Sequence, residues 1–265
     1  MTGVYDSGIG GLSVWKELRA LMPEQDYVYV ADSAHCPYGD KSTGYIRERA
    51  CAVVRFLIGK GAEAVVVACN TATAAAISYL RSHFQIPFVG MEPAIKPAAL
   101  ASKTGVVGVL ATANTFRGSL YRDTVMKYAT GVHIVEKVGW GLVEAVERGE
   151  VPTDLIRKYV DEMVDAGADV IVLGCTHFPF LQDEIARVAG PSVRIINPAP
   201  AVAMQTRRVL MSLQSGSGRS SAGQGRTPVS PQREFCSTGD TAVLQRTAMA
   251  IDPSLAPDMF KHVTI

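Results

Sequence analysis

The sequence predicts a doubly wound α/β architecture with mostly parallel sheets. Short apolar runs alternate with amphipathic stretches along the whole chain of 265 residues. A repeated order of strand, helix and strand builds parallel sheets with helices on both faces. Most of the apolar runs are nearly continuous in Val and Ile, as expected for strands that are buried on both faces.

The elements follow from this pattern in chain order. A very short strand around Val4 and Tyr5 comes first and leads into a glycine turn. Further strands are predicted at 27–31, 64–68, 105–110, 132–135, 170–173 and 193–196. Segments whose apolar residues fall on one stripe at helical spacing predict helices at 13–22, 45–60, 72–84, 155–166 and 181–188.

Composition excludes several classes of function. Apolar residues make up 48% of the chain and charged residues 19%, which is typical of a globular protein. The 26 basic and 25 acidic residues leave a net charge of +1, so no basic footprint for nucleic acid is present. No apolar run approaches the roughly 18 residues that cross a bilayer, and the first residues do not resemble a signal peptide. We therefore expect a cytoplasmic protein whose five cysteines are free thiols.

The segment 212–233 interrupts the alternation of strands and helices. It is rich in Ser, Gly and Arg and contains no acidic residue. This composition predicts a flexible surface loop. A docking site for an anionic partner is the alternative, and no other feature of the sequence favours it.

Two predicted strands end in similar short sequences. Residues 65–71 read VVVACNT and residues 170–177 read VIVLGCTH, so Cys69 and Cys175 occupy matching positions after a strand. Ligands in open α/β sheets bind at the carboxyl ends of strands. The matched thiols predict two similar lobes that each present one cysteine to a shared cleft, although short matches of this kind also arise by chance.

A glycine turn joins the first strand to the first helix. Residues 6–13 read DSGIGGLS; the glycines let the backbone approach a ligand, and the helix start offers free N–H groups to an anion. A dinucleotide fingerprint fits poorly, because Ser13 stands where G-x-G-x-x-G has its third glycine. A carboxylate or a small phosphate fits better. Asp6 is a candidate to orient a base or bind an ammonium group, and a simple helix cap is the alternative.

Three interpretations of Cys69 and Cys175 are open at this point. Small buried thiols at strand ends are frequent packing residues. Together with His177 they would make a Cys₂His metal site, but the close ligand spacing typical of zinc sites is absent. As catalysts, two thiols from two lobes would flank one carbon atom.

The catalytic interpretation has a direct chemical logic. Racemisation removes a proton from one face of a stereocentre and returns a proton to the other face, so it needs one base and one acid. Thiols have ordinary pKa values of about 8.5, which puts this division of roles within reach at neutral pH. His177 would be the proton partner or counter-ion of one thiol, and Asp6 would play the same part beside the other.

Seven short motifs follow one another along the chain: DSGIGG (6–11), PYGDKS (37–42), ACNTA (68–72), EPA (92–94), GVLAT (108–112), LGCTHFP (173–179) and STGD (237–240). In this order they resemble the glutamate racemases of the aspartate/glutamate racemase superfamily over nearly the whole chain. The DSGIGG opening is missing from the aspartate racemase branch, which favours glutamate as the substrate.

The resemblance implies roles for the residues at matching positions. Cys69 is implied to be the base that acts on D-glutamate, and Cys175 the base that acts on L-glutamate. Asp6 and His177 are implied to assist the two thiols. The implied substrate-binding residues are Asp6, Ser7, Tyr38, Gly39, Asn70, Thr71, Thr176, His177 and Glu147.

Other interpretations of these binding residues stay open. Glu147 resembles a carboxylate that lines the cleft, and Glu144 competes with it for that position. A plain turn at residues 38–39, and helix caps at residues 70–71 and at Thr176, are the structural alternatives.

Two positions depart from the family pattern. Asn197 stands where an acidic residue is common in the family, so the sequence does not predict the contact that such an acid would make behind the substrate-binding residues. Cys36 lies just before the 37–42 motif, at a position where the family varies, and we interpret it as a bystander.

The resemblance also implies the overall organisation and the biological role. The family fold has two pseudo-symmetric α/β domains with the active site between them, here predicted as 1–91 plus 206–265 and as 92–205. The family uses no metal and no pyridoxal phosphate. Its members are usually homodimers, and their product, D-glutamate, enters peptidoglycan synthesis in the cytoplasm.

Two competing functions remain. A hydrolase or lyase with a single nucleophile would use Cys175 with His177 and would tolerate loss of Cys69. A binding role is the other alternative, because some glutamate racemases inhibit DNA gyrase, although no interaction patch in the sequence argues for it.

Overall fold

The computed structural model describes residues 1–216 and 231–265 of the chain. Over these residues it contains two sheets flanked by helices, and neighbouring strands in both sheets run parallel. The predicted fold class is therefore confirmed. None of the helices in these two ranges is long and apolar enough to cross a membrane.

The described elements have the following bounds. The strands are β1 (Thr2–Asp6), β2 (Tyr27–Ala31), β3 (Ala64–Val67), β4 (Phe88–Gly90), β5 (Val106–Ala111), β6 (His133–Val138), β7 (Val170–Gly174), β8 (Arg194–Ile196), β9 (Arg233–Ser237) and β10 (Phe260–His262). The α-helices are α1 (Leu12–Leu21), α2 (Thr43–Gly59), α3 (Asn70–His83), α4 (Ile95–Ala101), α5 (Ala113–Arg117), α6 (Ser119–Tyr128), α7 (Leu142–Arg148), α8 (Thr153–Asp165), α9 (Gln182–Ala189), α10 (Ala199–Gly216) and α11 (Ala242–Ile251). Short 3-10 helices lie at Ser33–His35, Phe178–Leu181 and Pro257–Met259.

The first sheet takes strands from both the early and the late part of the chain. Its order is β10-β9-β2-β1-β3-β4. All residues of β1, β2 and β3 are buried, which explains why these runs are continuously apolar. The chain moves from β1 to β2 on one side and then crosses to β3 on the other. Ligands bind at such a switch point, outside the carboxyl ends of the strands.

The second sheet repeats the order of the inner part of the first. Its order is β6-β5-β7-β8, which corresponds strand by strand to β2-β1-β3-β4. In this correspondence β7 takes the place of β3. The register of β5 and β7 brings Ala111 opposite Gly174, where an added Cβ would lie 2.7 Å from the Cβ of Ala111. A glycine at 174 therefore allows the close approach of the two strands.

A common apolar core joins the two sheets. Helices α2 and α3 cover one face of the first sheet, and α1, α10 and α11 cover the other. The cluster on the second face contains Trp15 and Phe235 and continues to Leu173 and Phe178 beside the second sheet. This continuity fixes the carboxyl ends of β1, β3 and β7 relative to one another.

The predicted elements are found with small shifts in their bounds. Strand β2 has the predicted bounds, and the other predicted strands and helices differ from them by a few residues. The predictions missed β4, β9 and β10, and they also missed α4 to α7, α10 and α11.

One predicted domain limit falls between secondary-structure elements, and the other falls inside a helix. The limit after residue 91 directly follows β4, whereas the limit after residue 205 lies inside α10. The division at these residues stays a prediction. In the predicted loop 212–233, residues 212–216 form the end of α10 and Arg233 begins β9, while residues 217–230 lie outside the described part of the chain.

Candidate active site

Polar residues from both sheets meet at the carboxyl ends of β1, β3 and β7. Asp6 ends β1, Cys69 follows β3 by two residues, and Cys175 directly follows β7. Because β3 and β7 hold the same place in their sheets, the two thiols occupy equivalent positions. Both cysteines are buried, with 5% and 6% of the residue exposed.

Cys69 caps the amino end of α3. Its Sγ accepts a hydrogen bond from the backbone N–H of Ala72 at 3.4 Å and donates one to Oγ of Ser7 at 3.8 Å. Burial raises the pKa of the Cys69 thiol, and the charge of Asp6 raises it further, while the hydrogen bond from Ala72 lowers it. The resulting pKa is far above the ordinary thiol value, so Cys69 is protonated at neutral pH.

Cys175 pairs with a buried histidine. Its Sγ lies 3.7 Å from Nδ1 of His177, and Nε2 of the same ring lies 2.6 Å from Oε1 of Glu147. Burial lowers the pKa of His177, but hydrogen bonds to its thiol and carboxylate neighbours outweigh burial and raise this pKa well above its ordinary value. These hydrogen bonds favour the imidazolium form of His177, which lies between a thiol and a carboxylate.

Glu147 reaches this site from α7. Its Oε1 also accepts hydrogen bonds from the backbone N–H of Ile9 at 2.8 Å and from Sγ of Cys36 at 3.7 Å. Burial raises the pKa of Glu147, but the hydrogen bond and charge of His177 lower it overall. The structure thus brings Glu147 to the site as an anion, whereas Glu144 on the same helix is exposed.

The glycine turn after β1 packs between the two sheets. Oδ2 of Asp6 accepts a hydrogen bond from the backbone N–H of Gly11 at 2.9 Å, and Oδ1 accepts one from Oγ1 of Thr176 at 3.3 Å. Burial raises the pKa of Asp6, and the charge of His177 partly offsets this. A Cβ at Gly10 would lie 2.4 Å from Nδ1 of His177, so glycine is needed for the histidine to approach. Asp6 therefore holds the turn before α1 and also faces the site.

Two of the predicted binding residues use their hydroxyls within the fold. The hydroxyl of Tyr38 donates to Oδ2 of Asp32 at 2.5 Å and accepts a hydrogen bond from Tyr5 at 2.8 Å. Oγ1 of Thr71 shares a hydrogen bond with Oγ1 of Thr112 at 2.8 Å, which ties α3 to the end of β5. These contacts position the backbone on which the two residues lie.

Asn70 differs from these residues because its side chain has open hydrogen-bonding capacity. It is 3% exposed, yet neither its side-chain nitrogen nor its oxygen has a partner among the described residues. An unpaired buried amide costs about 1–3 kcal/mol. Asn70 begins α3 directly after Cys69, so the N–H groups of the helix start lie beside it. A bound carboxylate at this place would accept hydrogen bonds from the Asn70 side-chain nitrogen and from the N–H groups of the helix start, and the Asn70 oxygen would be left to accept from a donor such as an ammonium group.

A groove with room for about 50 Å³ opens between the two halves of the fold. Pro37 and Gly39 form one wall, and Thr112 and Trp140 form the other. Neither cysteine lines this groove. It reaches the predicted binding residues directly at Gly39 and, through the hydrogen bond of Thr112, at Thr71.

The side chains that could together bind a metal ion differ from the Cys69, Cys175 and His177 set that the sequence suggested. Within residues 1–216 and 231–265, the group whose ligand atoms all lie within 4.8 Å of one another is Cys36, Glu147 and His177. Cys69 and Cys175 do not belong to it. We interpreted Cys36 as a bystander from the sequence, but its thiol contacts Glu147. Its position directly before the 37–42 motif was the one sequence feature that pointed to the site.

The chain matches a known protein family over most of its length. Residues 13–206 match the family model described as Asp/Glu/Hydantoin racemase. The glutamate racemase of Methylococcus capsulatus is 51% identical over 212 residues, which cover 78% of this chain and 78% of that protein. The glutamate racemase of Ralstonia pickettii is 42% identical over 253 residues, which cover 94% of this chain and 86% of that protein.

Solved structures are similar over the whole fold. A glutamate racemase isoform from Bacillus anthracis superposes with a TM-score of 0.84 at 27% identity, covering 100% of this chain and 97% of that one. The Escherichia coli glutamate racemase, in complex with L-glutamate and the activator UDP-MurNAc-Ala, superposes with a TM-score of 0.81 at 31% identity, covering 94% of each chain.

Proposed function

The chain belongs to the Asp/Glu/Hydantoin racemase family and is an amino-acid racemase, and we propose that it interconverts L-glutamate and D-glutamate by proton transfer at Cys69 and Cys175. The observation that carries this proposal is the placement of two buried thiols at equivalent strand ends, each with its own polar partner. The names of the relatives support glutamate as the substrate.

Cys175 acts as the base when L-glutamate reacts. Its thiolate takes the α-proton, and the imidazolium of His177, 3.7 Å from Sγ, is the counter-ion that the thiolate needs before the transfer. Cys69, which is protonated at rest, then gives its proton to the opposite face of the carbanion. One C–H bond breaks, another forms, and the stereocentre is inverted.

The roles reverse when D-glutamate reacts. Cys69 must first lose its proton, and we assign Asp6 as the acceptor because it is buried at the same site and burial raises the pKa of its carboxyl above the ordinary value. The two enantiomers have the same free energy, so kcat/KM must be equal in both directions.

The carbanion must be stabilised at the α-carboxylate. The unpaired amide of Asn70 and the start of α3 are placed to bind this group. Ser7 accepts a hydrogen bond from Cys69, Thr176 directly follows Cys175, and Thr71 follows Cys69 by two residues. We assign them, with Tyr38, Gly39 and Glu147, to the substrate-binding wall.

The biological role follows from the proposed product. D-glutamate would supply peptidoglycan synthesis, which places the reaction in the cytoplasm. We expect a homodimer, as the family resemblance implies.

The proposal is tested by replacing each thiol with serine. Racemisation of L-glutamate is followed by circular dichroism in Cys69→Ser, Cys175→Ser and the control Cys51→Ser, whose thiol lies on α2. We expect kcat to fall by about 10²- to 10⁴-fold in the first two variants, the range of a single acid/base group, and to be unchanged in the control. Substantial racemisation by Cys69→Ser would overturn the two-thiol proposal and leave Cys175, with His177 beside it, as the one acid/base group.

A further inference from the structure

We propose that Cys36, Glu147 and His177 form a binding site for Zn²⁺ or a similar divalent cation, and that occupation of this site stops racemisation. The inhibitory part of this inference rests on the proposed racemase function. The binding part does not, because it concerns the ligand geometry of three side chains.

Three different ligand types converge at this site. The ligand atoms of the three side chains lie within 4.8 Å of one another. Sγ of Cys36 is 3.7 Å from Oε1 of Glu147, and Nε2 of His177 is 2.6 Å from the same oxygen. Thiolate, imidazole and carboxylate are the ligands that Zn²⁺ takes in proteins, and sites with three protein ligands leave the fourth position to water.

The side chains need only a small movement to enclose a cation. In a tetrahedral zinc site, ligand distances of about 2.0–2.3 Å place sulfur about 3.5 Å from a carboxylate oxygen and nitrogen about 3.3 Å from it. The sulfur–oxygen pair already has nearly this spacing. The nitrogen–oxygen pair must open by less than about 1 Å, which is the change expected when a cation replaces a proton in a hydrogen bond.

Binding balances both protons and charge. The thiol of Cys36 releases one proton, and the imidazolium of His177 releases the proton it shares with Glu147. The cation then carries a thiolate and a carboxylate, so the complex is neutral and two protons leave for each Zn²⁺ bound. Neutrality favours this arrangement at a largely buried place.

The cation can reach the site from solvent. The side chain of Glu147 is 21% exposed, and Cys36 is half-buried in the loop after the 3-10 helix Ser33–His35. Only His177 among the three is fully buried. A cation therefore meets the carboxylate and the thiol first and the imidazole last.

Occupation of the site would bind the imidazole ring whose Nδ1 lies 3.7 Å from Sγ of Cys175, the base of the proposed reaction. A His177 ring bound to the cation through Nε2 is neutral and keeps a single N–H, so it no longer serves as the counter-ion of Cys175. Cys36 takes no part in the proposed proton transfers. Serine at this position keeps a hydrogen-bond donor for Glu147 but replaces the thiolate ligand, so Cys36→Ser separates cation binding from catalysis.

Cation binding is measured first, without substrate. Metal-free protein is titrated with Zn²⁺ by calorimetry and with Co²⁺ by absorption, because a bound thiolate gives cobalt a charge-transfer band. We expect one cation per chain, with a cobalt–thiolate band. Cys36→Ser should abolish the band and weaken Zn²⁺ binding about tenfold or more, whereas the control Cys51→Ser should bind as the unaltered chain does. Cys175→Ser should also retain the band, because Cys175 is not a ligand.

Racemisation is then assayed with increasing Zn²⁺. Cys36→Ser should keep its metal-free rate within about twofold, and its half-inhibiting Zn²⁺ concentration should rise about tenfold or more. If Cys36→Ser folds poorly, alkylation of the unaltered chain with iodoacetamide gives the same information, because bound Zn²⁺ should protect Cys36 in peptide mass spectra.

Three outcomes would overturn the inference: no bound Zn²⁺, binding that depends on Cys175 and not on Cys36, or binding at Cys36 that leaves racemisation unchanged. A chain that binds Zn²⁺ through Cys36 but does not racemise glutamate in metal-free buffer would retain the cation site and refute the proposed function instead.

Discussion

Replacement of Glu147 by Gln tests the electrostatic role of the His177–Glu147 pair. The change keeps the shape of the side chain and an oxygen that can still accept from Nε2 of His177 and from the backbone N–H of Ile9, at the present 2.6 Å and 2.8 Å. It removes the negative charge. A hydrogen bond to a charged group contributes about 1.5–3 kcal/mol and a neutral one about 0.5–1.5 kcal/mol, so the imidazolium loses about 1–1.5 kcal/mol of stabilisation.

This loss should appear as a shift in pH dependence. A change of 1.36 kcal/mol corresponds to about one pKa unit. The pKa of His177 is raised in the folded protein, so the imidazolium persists below that raised value and is lost as pH rises through it. In Glu147→Gln the alkaline limb of the kcat/KM profile should therefore move about one unit lower. On the alkaline side of the profile, kcat/KM should therefore lie about tenfold below that of the unaltered chain, equally for both enantiomers.

The matched control for this variant is Glu144→Gln. Glu144 lies on the same helix, and its side chain is exposed. Its side chain lines the groove beside Gly39 but takes no part in the His177–Glu147 pair, so Glu144→Gln should leave the alkaline limb where it is in the unaltered chain. The reasoning is refuted if Glu147→Gln keeps kcat/KM within about twofold and leaves the alkaline limb unmoved, or if Glu144→Gln reproduces the shift.

Three further changes test other parts of the account. Gly10→Ala should reduce kcat by about 10²-fold or more, because its Cβ would lie 2.4 Å from Nδ1 of His177. Its control is Gly44→Ala, whose Cβ has nothing within 4 Å. This control should leave kcat unchanged and raise the free energy of unfolding, measured in urea, by about 0.4–1 kcal/mol. Asn70→Ala should raise KM for glutamate about tenfold with little loss of stability, since its amide has no partner in the described parts of the chain; a destabilisation of several kcal/mol would contradict this. Burial raises the pKa of Asp169, but hydrogen bonds from the turn after α4 lower it to about 2 overall, so Asp169→Asn should cost about 1–2 kcal/mol at pH 7. This difference from the unaltered chain should be present above about pH 4 and vanish as pH falls towards 2.

The buried strands and amphipathic helices could be predicted because their patterns are long and regular. Strand β2 reads YVYVA and is buried throughout, so its bounds are visible in the sequence. Strands of three residues carry no periodic pattern, and of these β8 was predicted whereas β4 and β10 were missed. Helix α6 was missed because only Tyr121 on it is buried, so it carries no apolar stripe.

The parts of the site that could be predicted are those formed by residues close together in the sequence. The pairing of Cys175 with His177 follows from a separation of two residues, and the placement of Cys69 follows from the strand that precedes it. The contact of Glu147 with His177 depends on tertiary packing, so the sequence left Glu144 as a competitor. The role of Asn197 also depends on the folded structure. Its Oδ1 accepts a hydrogen bond from the backbone N–H of Ala199 at 3.0 Å, at the start of α10.

The most direct test of the two-thiol account is the position of solvent deuterium early in the reaction. L-glutamate is incubated with the unaltered chain in D₂O, and both enantiomers are separated and analysed by mass spectrometry while conversion is still low. If Cys175 removes the α-proton and Cys69 supplies the new one from the other face, the D-glutamate formed carries deuterium and the remaining L-glutamate does not. Deuterium appearing in both enantiomers at similar rates would show a single base acting on both faces and would contradict the account.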